Sequence, residues 1–117
     1  MTHIDCAVLA VPTANKAAYL EMTKNMAAIF KENGALSVVD VWSDNAPDGE
    51  VTSFRKAVQA TDDESIVVSW IIWPDKATAE AGMGAAMQDP RANPGPDGPP
   101  FDGKRMIFAG FEMLHEA

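Results

Sequence analysis

The run ESIVVSWIIWP, Glu64–Pro74, narrows the folds open to this chain more than any other feature. Five β-branched residues and two tryptophans favour an extended backbone. Side chains alternate across a strand, and here both sides are largely apolar. Such a strand belongs inside a sheet that is covered on both faces. A chain of 117 residues has one core to offer it, so we read a single domain over residues 1–117.

Three further segments read as strands: His3–Val11, Ala35–Asp44, and the run that follows Asp102-Gly103 and ends near His115. Between the first two, Tyr19, Met22, Met26, Ile29 and Phe30 recur at helical spacing, with Asn15 as the expected cap and Gly34 as the expected stop. Thr52 is expected to cap a short helix over residues 52–58. Asp75 is expected to cap another, whose buried stripe is predicted as Ala79, Met83, Ala86 and Met87. The stretch DPRANPGPDGPP holds five of the eight prolines, cannot form a regular element, and reads as a loop that is either functional or mobile.

The order β-α-β-(short element)-β-α-β predicts an α+β fold: a ferredoxin-like βαββαβ sandwich with a four-stranded antiparallel sheet. Strands one and three take the centre, strand four flanks strand one, and strand two flanks strand three. Alternate positions then form two sets. One is almost wholly apolar, as in Cys6, Val8, Val41, Val68, Trp70 and Phe111; the other mixes in Asp5, Asp40, Trp42, Ser69, Trp73 and Glu112. The apolar set is expected to receive the helices. The mixed set is then left for a second copy of the sheet, closing a homodimeric α/β barrel.

Charge excludes some partners. Seventeen acids against nine bases leave −8, and no basic cluster exceeds the pair Lys104-Arg105. Nucleic acid and anionic membranes are thus not expected partners. A lone Cys6 and an N-terminus without a basic leader point to the cytoplasm. No G-x-G-x-x-G, G-x-x-x-x-G-K-[ST] or G-x-S-x-G motif stands in the chain, and no cofactor is called for. His3, Asp5, Glu112 and His115 are metal-ligand types without tight ligand spacing, so no metal site is expected.

A small-molecule pocket usually joins an apolar wall to a few convergent polar groups. Trp42 and Trp73 are the candidate walls, and Asp5 and Ser69 the polar groups beside them. Arg55 and Arg91 are placed to grip an acidic ligand, and Lys104 or Arg105 to neutralise a nearby acid. Asp40 and Glu112 are the other carboxylates of the mixed set.

The segments PTANK, GALSVVDVWSDNAPDG, TSFRKAV, ESIVVSWIIWP, AGM…MQDPR and PFDGKRMIFAGFE together resemble the YbaA-like family, domain of unknown function 1428, over nearly the whole chain. Asp40, Val41 and Ala109 depart from its pattern of glutamate, cysteine and glycine. The resemblance implies a dimeric α+β barrel and carries over no catalytic residue. Related barrels include cofactor-independent monooxygenases and isomerases. By that analogy the expected function is a homodimer binding a small, partly apolar organic ligand, with Asp40 or Glu112 abstracting a proton. The rival expectation is a non-catalytic dimer whose mixed sheet face is only an interface.

Overall fold

The computed structural model describes all residues, Met1–Ala117. Strand β1 (His3–Pro12) runs into a 3₁₀ turn and then helix α1 (Lys16–Glu32). Gly34, at φ +105°, reverses the chain into β2 (Ser37–Trp42). A long connection carries the single-turn helix α2 (Phe54–Ala57), followed by β3 (Glu64–Trp73), α3 (Lys76–Gln88) and β4 (Ile107–Glu112). All pairings are antiparallel, in the order β2-β3-β1-β4. The apolar strand β3 and β1 therefore occupy the centre, as the element order predicts.

The local signals are mostly where the sequence puts them, with four corrections. Asp75 caps α3 by accepting from the backbone N–H of Thr78 at 2.7 Å. Helix α2 is instead capped by Ser53, which accepts from Lys56 N, not by Thr52. Asn15 makes no side-chain cap on α1; its amide donates to the carbonyl of Pro100, 3.0 Å away. Met87 lies on the outer surface of α3, 60% exposed, whereas Ala79 and Ala86 are buried. Lys104 and Arg105 sit in a 3₁₀ turn, Gly103–Arg105, so β4 begins later than its apolar run suggests.

The larger correction concerns the faces. Helices α1 and α3 cover the mixed set. Ile29 and Phe30 of α1 and Ala79 and Ala86 of α3 pack with Ile71 and Trp73 of β3. Tyr19 packs with Leu9, Val11 and Val67. The nearly all-apolar set faces away from them. Val58, just after α2, covers only the end of that face, at Ala10 and Ile66. The remainder lies open, with Val41, Ile107 and Phe111 each more than 40% exposed. The mixed face is therefore not an interface. Asp40 is satisfied by hydroxyls of the helix above and Asp5 by Trp73 and His3, which removes the reason to leave them uncovered.

Candidate functional site

Asp40 and Trp42 alternate with Val41 on β2 and so project together to the helix side. Tyr19 and Thr23 lie one turn apart on α1, which puts both hydroxyls above that strand. The Tyr19 phenol donates to Oδ1 of Asp40 at 2.8 Å, and the Thr23 hydroxyl donates to Oδ2 at 2.5 Å. The carboxylate is half-buried and held by one hydroxyl at each oxygen. Burial, and then the negative charge of Asp40, push the Tyr19 phenol well above its ordinary value. Tyr19 thus remains a donor at any physiological pH.

Lys16, one turn before Leu20, extends its ammonium to 5.3 Å from the centre of the Trp42 ring. Lys16, Leu20, Asp40, Trp42 and Val67 border a cleft of about 100 Å³. On the other side of the strand, Val41 and Trp42 border a second hollow of about 150 Å³, formed with Ala46, Phe54, Ile66 and Val68. Trp42 therefore stands between two cavities, one under α1 and one at the edge of the open face.

Ser69 is the cross-strand partner of Asp40 and is half-buried beside it. The other candidates lie elsewhere. Trp73 is fully buried, packs edge-on against Phe30, and donates its indole N–H to Oδ2 of Asp5 at 3.0 Å. The other oxygen of Asp5 is 3.0 Å from His3 Nε2. Gly110 leaves space for this trio, since a Cβ there would lie only 3.0 Å from the imidazole. Glu112 pairs across the sheet with His3 at the far end of β4 and is exposed. Asp40 is level with Ser69, Ala7 and Phe108 across the sheet, so Glu112 stands four residues beyond that row.

The arginines hold the backbone together. Arg55 donates to the carbonyls of Thr61 and Glu64, bracing the turn before β3. Arg105 makes a two-pronged pair with Glu64, at 2.8 and 2.6 Å, and also reaches Asp102 and the carbonyl of Gln59. Arg105 lowers the Glu64 carboxyl to about 2. Lys104 is exposed, and only its backbone N–H meets Asp102. Arg91 grips Glu32 of α1 with two bonds of 3.0 Å and also pairs with Asp89. The loop over residues 89–100 thereby lies along α1 and borders a groove of about 450 Å³ with Met22, Asn25 and Met26. None of its residues lines the Asp40 cleft.

The sequence picks out Asp40 and Trp42 but misses Lys16, Tyr19 and Thr23. A signal exists: hydroxyl side chains at positions i and i+4 in or beside the buried stripe of an otherwise apolar helix face require a polar partner.

Residues 2–103 match the family described as "Protein of unknown function (DUF1428)". The uncharacterized protein YbaA of Escherichia coli K12 is 46% identical over 114 residues, which is 97% of each chain. The Shigella flexneri protein of the same name matches to the same extent. Among solved structures, a mutant of SnoaB, a cofactor-independent oxygenase from Streptomyces nogalater, superposes with a TM-score of 0.60 at 12% identity, covering 98% of this chain and 95% of the other. Rv0793 from Mycobacterium tuberculosis superposes with a TM-score of 0.57 at 12% identity, covering 100% and 99%. These two likenesses are likenesses of fold.

Proposed function

We propose, starting from the fact that the chain belongs to the DUF1428 family, that it is a homodimer whose subunits each bind a small, partly apolar organic molecule in the Asp40–Trp42 cleft. The observation that carries this reading is the Asp40 carboxylate, which is oriented by two hydroxyls from α1 and stands beside an indole at the mouth of a hollow. Apolar walls with one fixed polar group are what a small-ligand site requires. The second subunit covers the open apolar face, which has no charged side chain among its alternate positions from Ile4 to Val8, Val39 to Val41, Val68 to Ile72 and Ile107 to Phe111. A face of that kind is rarely left in water. The unpaired Cys6 on it fits a reducing compartment, the cytoplasm.

SnoaB performs its oxygenation without a cofactor on a fold of this kind. By analogy with that fold we extend the proposal to monooxygenase- or isomerase-like chemistry carried by side chains alone. In that extension of the reading, Asp40 takes the substrate proton. Binding comes first and is tested by thermal shift against aromatic acids, quinones and lactones. A ligand at about 100 times its dissociation constant adds about 2.7 kcal/mol of stability. The expected hits lose their shift in Trp42→Ala. A panel without hits, or hits indifferent to Trp42→Ala, overturns the proposal.

A further inference from the structure

We infer that the ligand of the Asp40 cleft is a single-ring hydroxyaromatic acid, its hydroxyl read by Asp40 and its carboxylate by Lys16; this rests on the binding role proposed above. The argument starts with what each polar group has left to give. Both carboxylate oxygens of Asp40 already accept a hydrogen bond, one from Tyr19 and one from Thr23. An ionised carboxylate has no proton to donate but has further lone pairs to offer. The Tyr19 and Thr23 hydroxyls have spent their single protons on it. A ligand atom that comes against Asp40 must therefore bring a donor, and an anionic group there meets like charge.

The opposite requirement holds at the mouth. Lys16 is the sole cation bordering the cleft, is exposed, and presents three donors with no acceptor. It rests over the Trp42 ring without a carboxylate partner of its own. The group it prefers is an anion or a strong acceptor. Between these two ends the walls are Leu20, Val67 and the Trp42 ring, which favour a flat apolar body. The cleft is open at Lys16, and its volume of about 100 Å³ is smaller than the roughly 150 Å³ cavity that takes a whole benzene ring. It therefore seats one ring in part, with the remainder standing in the mouth beside Lys16. Donor, ring and anion in that order describe a hydroxybenzoate.

The experiment measures affinity by quenching of tryptophan fluorescence and by calorimetry, with four probes: 4-hydroxybenzoate, benzoate, 4-hydroxybenzyl alcohol and phenol. The expected order places 4-hydroxybenzoate about tenfold tighter than benzoate, for the lost donor, and about tenfold tighter than 4-hydroxybenzyl alcohol, for the lost charge. Lys16→Met removes the second preference and leaves the first. Asp40→Asn removes most of the first and leaves the second. Equal binding of benzoate and 4-hydroxybenzoate overturns the assignment to Asp40, and a carboxylate preference that survives Lys16→Met overturns the assignment to Lys16. Binding of phenol alone, without preference for either end group, overturns the substrate class while the pocket stands. Failure of all four probes to quench, together with an unresponsive thermal-shift panel, removes the pocket itself.

Discussion

Tyr19 is the only tyrosine of the chain, which makes its environment directly measurable. Burial and the adjacent Asp40 charge both favour the protonated phenol in the folded state. The unfolded chain releases that proton near 10.0. The stability contributed by the neutral phenol is thus complete below pH 10 and falls as the pH rises beyond it. We expect no phenolate absorbance in the folded protein at pH 10, and ionisation only as the fold is lost. In Asp40→Asn the ionisation moves part of the way back, because burial, the larger cause, remains. A folded protein with half its tyrosine ionised at pH 10 would show that the Tyr19–Asp40 contact does not form. At this scale the sequence is half-legible. Asp40 and Trp42 can be paired by alternation on one strand, but their partners come from α1, and strand periodicity carries no information about which helix residue lands above.

Among elements, α3 lies close against the sheet at Gly82. A Cβ on Gly82 would lie 2.4 Å from the Trp73 ring and 2.9 Å from the Asn33 carbonyl, whereas one on Gly84 meets nothing within 4 Å. The same substitution is therefore expected to act with opposite sign two residues apart. Gly84→Ala raises stability by about 0.5–1 kcal/mol through the restricted unfolded chain and better helix propensity. Gly82→Ala lowers it by about 1–3 kcal/mol through overpacking against a ring with no room to move. Chemical denaturation of the two variants decides it, and equal effects would place α3 further from β3. Element order, pairing and the Asp75 cap were legible because each depends on local pattern. The faces were not. Period two tells which residues share a side, never which side the helices take, and counting apolar residues favoured the wrong one. The mixed side is covered because Asp5 and Asp40 find donors in Trp73, Tyr19 and Thr23. A charged residue inside a strand could thus mark the buried side, provided its partner lies on another element.

For the whole molecule, the open side of the sheet is the surface on which the proposed assembly turns. Val41→Lys combined with Phe111→Lys puts two charges onto it at positions already 43% and 52% exposed, so each subunit can still fold. Light scattering is expected to give the mass of a dimer for the parent and of a single subunit for the variant. Met87→Lys, on the outer surface of α3, is the matched control and leaves the mass unchanged. A parent that stays a single subunit at micromolar concentration ends the dimer proposal. The strap of residues 89–100 has a consequence of its own for how the chain reaches this state. Ile4 pairs with Phe111, so joining β4 to β1 closes nearly the full contour of the polypeptide, a late and slow event when attempted in one step. Glu32 and Asn25 moor Arg91, and Asn15 moors Pro100. Once those moorings are made, the loop left to close before β4 meets β1 shrinks from nearly the whole chain to the few residues after Pro100, and the entropic cost of that last closure is expected to fall with it.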